Sequence, residues 1–259
     1  MDMNKQFGVR EIANVVLKAK STMKFGSSNF EKGDPVLYFD TLKTSTVEGA
    51  ATTVYATGGR GNARLISWDG ERTITFTMED ALISPMGLAV LSGAGLITST
   101  DEVLHFTERL VADEDGAVTL SKTPSAKHPI YYGVVDADGT VPDKLTKVDT
   151  AEEIEGTAGA TVFVDYYAAQ AGSLLIDIEP GKFSGNFYLE AATLFRDTNG
   201  DDHAAEFIIP NCRVQSNFTF SMASSGDPST FTFTMDAFPD YTNYDKTKKV
   251  LCAIQVLGE

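Results

Sequence analysis

Strict two-residue alternation constrains this chain more than any other feature. In SNFTFSMASSGDPSTFTFTMDAFPDY (Ser216–Tyr241) two arms alternate large apolar residues with Ser, Thr and Asn around a Ser-Gly-Asp-Pro turn. Period two sends successive side chains to opposite faces of a strand. Phe218, Phe220 and Met222 on one arm, with Phe231, Phe233 and Met235 on the other, are assigned to a core. Asn217, Thr219, Ser221, Thr232, Thr234 and Asp236 make the opposite face, short-chained and polar. What that face meets is the functional question.

The same phrasing recurs along the chain. In SWDGERTITFTM, Ile74, Phe76 and Met78 alternate with Thr73, Thr75 and Thr77, and Asp69-Gly70 reads as a hairpin turn. Asn199-Gly200, between EAATLF and AAEFII, reads as a second hairpin tip. Two segments suggest helices. Val9, Ile12 and Val16 fall at helical spacing near the N-terminus, and Ser84-Pro85 caps a largely apolar MGLAVLS that Gly93 can stop. The expected fold is all-β with one or two flanking helices, closed as a two-sheet sandwich or barrel. Residues 1–100 and 171–259 form its core region. Residues 101–170, with short strands, Asp-Gly turns and three prolines, form an inserted β-module or an elaborated loop.

Charge bounds the function. The chain has 259 residues and a formal net charge of −15. That balance excludes wrapping a nucleic-acid backbone, which needs clustered Lys and Arg. It permits a surface past which nucleic acid slides without sticking. The N-terminal segment runs against the trend, with five basic residues and one acidic one between Asn4 and Phe25. Lys18, Lys20 and Lys24 there, with Arg60 and Arg64 in the Gly-rich ATGGRGNAR loop, are candidates to meet acidic faces of a neighbouring copy.

No motif carries catalysis. Gly58, Gly59 and Gly61 are followed by Asn62 and a strand pattern, not by the Lys and helix that a phosphate loop needs. Asp197, Asn199 and Asp201 match the start of a calcium loop, but Asp202 stands where Gly is required and Ile208 where Glu is. His105, His128 and His203 have no zinc spacing. The expectation is a non-enzyme with no cofactor and no metal. Cys212 and Cys252 read as small buried thiols, although the sequence leaves open whether they pair. With no apolar run of roughly 18 residues, a soluble protein made in a reducing cytosol is expected.

Three stretches together resemble a known family: DPVLYFDTLKTST (Asp34–Thr46), VYATGGRGNARLISWDGERTITFTMEDALISPMGLAVLSGAGL (Val54–Leu96) and LFRDTNGDDHAAEFIIPNCRVQ with the opening hairpin (Leu194–Tyr241). Their order is similar to that of the tail tube proteins of large tailed bacteriophages, over residues 34–97 and 173–241. The resemblance implies a two-sheet β-fold of tail-tube type in hexameric rings. Stacked rings form a tube, lined by inner strands, through which genome DNA is ejected. It also implies a virion (tail) location after synthesis in the host bacterial cytoplasm. Implied partners are further copies, other tail proteins (baseplate, terminator, and a sheath if the tail is contractile) and passing DNA, without membrane insertion. The alternatives are another virion β-protein, such as a head decoration or baseplate component, and a carbohydrate-binding β-module. Ile130–Gly133 and Asp165–Ala168 would supply that module's aromatic platform.

Overall fold

The computed structural model describes residues 5–9, 11–93, 95–99, 103–169, 172–220, 222, 224–225 and 229–257. Its strands are β1 (Phe7–Val9), β2 (Asn14–Ala19), β3 (Met23–Phe25), β4 (Ser28–Phe30), β5 (Pro35–Phe39), β6 (Leu42–Gly58), β7 (Ala63–Asp80), β8 (Gly95–Ser99) and β9 (Val103–Val111). They continue as β10 (Ile130–Val134), β11 (Thr146–Val148), β12 (Thr161–Ala169), β13 (Ser173–Asp177), β14 (Asn186–Asp197), β15 (Asp202–Val214), β16 (Phe231–Ala237) and β17 (Ala253–Val256). One α-helix, α1 (Pro85–Ser92), follows β7. The protein is all-β, as its alternation predicts. No helix among the described residues is long and apolar enough to cross a membrane.

The chain divides into two compact units, one of residues 1–96 and 176–259, the other of residues 97–175. The first is built on a nine-stranded antiparallel sheet in the order β5-β2-β14-β15-β16-β7-β6, with β1 beside β14 and β17 beside β15. The two end strands of that order, β5 and β6, are consecutive in sequence, with only Asp40 and Thr41 between them. The sheet therefore folds over on itself at this corner. Phe39 of β5 meets Phe233 of β16 edge-on at 5.0 Å, although four positions separate their strands. Leu17, Phe76, Met78, Phe187, Leu189, Ile209 and Met235 fill the space between, all with 1 % exposure or less. The result is a sandwich around one core; among the described strands no barrel closes by hydrogen bonds.

Helix α1 forms where its sequence signals place it. Ser84 Oγ accepts from the Gly87 amide at 2.9 Å and Pro85 opens the first turn. Gly93 ends the helix at φ 72°, and a Cβ there would lie 2.5 Å from the Phe183 backbone, so glycine is required twice over.

Two other expectations are corrected. The N-terminal segment is not helical: residues 14–19 form β2, with Val15, Leu17 and Ala19 buried in alternation. The adjacent β-branched pair Val15-Val16 suits a strand, and β14 and β5 hydrogen-bond it on both sides. Asp69-Gly70 is not a turn either, because both lie inside β7, near a register shift opposite Ala51 and Thr53. A Cβ on Gly70 would stand 2.3 Å from Thr52 Oγ1, so this glycine serves a close strand approach. The chain reverses instead at Gly59–Asn62, where Gly59, Gly61 and Asn62 all have positive φ.

The second unit has its own four-stranded antiparallel sheet, β11-β10-β12-β9. Its own core contains Ile130, Val162, Val164 and Tyr166.

Candidate functional site

Reversal at Gly59–Asn62 makes β6 and β7 one long ribbon, paired from Leu42↔Asp80 out to Gly58↔Ala63. Its base belongs to the sandwich, where Phe76 and Met78 are buried. Beyond Gly49 and Ile74 the ribbon leaves the core, and every residue from Ala63 to Thr73 is exposed. Both of its faces carry apolar side chains into solvent: Val54 is 62 % exposed, Leu65 66 %, Ile66 55 % and Trp68 53 %. An isolated two-stranded ribbon is marginal in water, and a clustered apolar surface of this kind marks a contact site. At the far end the Arg64 guanidinium stacks 4.1 Å above the Tyr55 ring. Arg60 is exposed in the turn itself.

The base of the same ribbon carries a polar wall. Thr232, Thr234 and Asp236 of β16 lie opposite Glu79, Thr77 and Thr75 of β7. Those in turn lie opposite Thr44, Thr46 and Glu48 of β6. Directly opposed residues share a face, so nine threonines and carboxylates form a continuous three-stranded surface without a cation. Alternation identified the β16 members. The β6 members escaped notice because the pairing that brings them alongside is set by a turn the sequence misplaced.

Segment 215–220 is not a regular strand. Asn217 and Thr219 nevertheless join Thr232 and Thr234 along a groove of about 500 Å³, with Leu91, Phe218 and Phe231 beneath. Ser221 lies outside the described residues. Assignment of the whole apolar face to the core fails at its end. Phe218 packs against the core, but Phe220 is 43 % exposed and Met222 92 %. After Gln215 no strand pairing is seen among the described residues of this arm, and the Phe220 ring meets those of Phe218 and Phe231 at its exposed margin.

Of the five candidate cations, two find carboxylates within the chain: Lys18 pairs with Glu190 and Lys20 with Asp240, at 2.6 Å in the second case. Lys24 is exposed on β3 and has no ion pair among the described residues. Arg60 and Arg64 stand at the ribbon end.

The remaining chemistry is structural. Asn199-Gly200 forms the β14–β15 hairpin tip as expected, and the Asp197 carboxylate accepts from the amides of Asn199 and Asp201 at 2.9 and 3.0 Å. Lys5 Nζ lies 2.8 Å from the same carboxylate, which all these donors hold well below the usual range. Both cysteines are free thiols, and burial pushes that of Cys212 up to about 12. Among the described residues no group of three or more His, Cys, Asp and Glu side chains is arranged to hold a metal ion. In the second unit, Tyr166 is buried with its hydroxyl donating to Glu108, and Tyr132 packs on the core. Tyr131 and Tyr167 reach solvent, yet the Tyr167 ring lies between His128 at 4.8 Å and His105 at 5.3 Å.

The profile of the YomU/Tube protein family matches residues 7–251. The chain belongs to the YomU/Tube protein family. It is accordingly a phage structural protein of tube-like kind. No curated protein matches it. The match runs through both the ribbon and the polar wall, so the features that define this YomU/Tube chain's surface lie inside the shared region.

Proposed function

We propose that this chain is the repeating, non-enzymatic subunit of a bacteriophage tail tube. Hexameric rings of it stack around a channel that conducts genome DNA. The β6–β7 ribbon carries this reading. Its apolar faces are exposed in the single copy, and a second copy covers them at no cost in new folding. Among the described strands none pairs with the outer edge of β6, and such an edge is in isolation an aggregation hazard and in a ring a strand-pairing site. Head-to-tail contact between unlike patches closes such rings.

The polar wall of Thr44, Glu48, Glu79, Thr232 and their neighbours suits the channel side. Short hydroxyl side chains and carboxylates release no counterions from DNA and so do not retain it. Other tail proteins, with a sheath if the tail is contractile, would meet the outer surface and the tube ends. Electron microscopy of the purified protein tests the reading. Hollow tubes or six-fold rings are expected, and a monomer that stays dispersed at high concentration would overturn it.

A further inference from the structure

A cavity of about 290 Å³ opens on the outer face of the sheet between β14, β15 and β17. Ala192, Ala204 and Ala205 floor it, Gln255 and Leu257 wall it, and Glu206 reaches into its rim. The cross-strand register puts Ala192, Glu206 and Gln255 directly side by side. At ~30 Å³ per water the volume equals about ten waters, the scale of one large side chain.

Glu206 is half-buried, and among the described residues no hydrogen bond or ion pair engages its carboxylate. Burial raises its pKa, and the nearby Glu190 raises it further. Lys18, the one cation that offsets this, is already bound to Glu190. The opposite condition holds at the ribbon end. Arg64 is exposed and stacked on Tyr55, and among the described residues it pairs with no carboxylate.

We propose that the Tyr55–Arg64 knob of one copy seats in the Ala192/Ala204/Leu257 cavity of a second copy, where Arg64 pairs with Glu206. The fit rests on three complementarities: a ring and guanidinium against alanines, a cation against an unanswered carboxylate, and an exposed projection against a recess. An arginine pre-stacked on a ring loses little further freedom on docking and binds a carboxylate in two-pronged geometry. The proposal deepens the tube reading by naming the two patches that join successive copies.

Charge exchange tests it. Arg64→Glu and Glu206→Arg are made singly and together in the full chain, with folding checked by circular dichroism and melting. Assembly is then measured by sedimentation and electron microscopy. Each single variant is expected to lower the assembled fraction at least about tenfold, as loss of one partner of a desolvated pair does, and the double variant to restore it. Ala204→Phe, at an exposed position, fills the cavity without altering charge and is expected to block assembly too. Single variants that assemble like the parent, or a folded double variant that fails to recover, overturn this seat and leave the tube reading standing. A parent protein that never assembles overturns both.

Discussion

At the scale of single residues, Asp197 shows how one carboxylate ties the N-terminal strand to the sandwich. Its side chain is fully buried, caps the β14–β15 turn through two backbone amides, and receives Lys5 from the segment just before β1. His203 lies 3.3 Å away and meets the Phe7 ring edge-on, closing the same corner. Because its pKa is depressed in the folded state, this group adds stability above the unfolded value near 3.9. That stability is lost as pH falls from there through the folded value. Asp197→Asn is therefore expected to melt at a lower temperature than the parent at pH 7, with the two curves converging below about pH 4. Thermal melts across that range decide it; a gap that does not narrow at all between about pH 5 and about pH 2 would show that the turn geometry, not the charge, is responsible. The sequence marked Asp197 only as the first letter of a failed calcium loop. Its partner Lys5 is 192 residues away, a distance that no local pattern spans.

At the scale of elements, legibility followed how local the determining forces are. Helix α1 and the Asn199-Gly200 tip are set by caps and φ preferences of adjacent residues, and both form where the sequence places them. The N-terminal segment and Asp69-Gly70 are decided by distant partners. Strands β14 and β5 draw residues 14–19 into a sheet, and a 17-residue β6 keeps Asp69-Gly70 extended. The ribbon also separates two kinds of apolar residue that look alike in sequence. Phe233, fully buried against Phe39, is expected to cost about 3–5 kcal/mol of folding stability as Phe233→Ala. Trp68, 53 % exposed on the ribbon, is expected to change it by no more than about 0.5 kcal/mol as Trp68→Ser. The same Trp68 change should impair self-association. Denaturant titration and sedimentation of the two variants would reveal any exchange of these roles.

At the scale of the whole molecule, one surface is apolar and projecting while another is polar and uncharged-to-acidic. A tube subunit needs both, one to hold copies together and one to let DNA pass. The polar wall can be altered by itself. Thr232→Lys with Thr234→Lys puts two cations per copy on the wall without touching the core face, since both side chains alternate outward from Phe233. Assembled tubes of this variant are expected to retain DNA in a salt-dependent way that the parent does not. Retention no greater than the parent's would place the channel on another face. Sequence alone determined that this chain is all-β, where its helix starts and stops, and which residues of β16 face inward, because alternation and capping are properties of neighbouring residues. Only the tertiary structure decided that β6 and β7 run on past the core as an exposed ribbon, and that Thr44, Thr46 and Glu48 extend the β16 wall. It also placed Glu206, with no ion pair among the described residues, at the rim of an alanine-floored cavity. Those facts depend on strand register and long-range pairing, which arise from contacts between residues far apart in the chain.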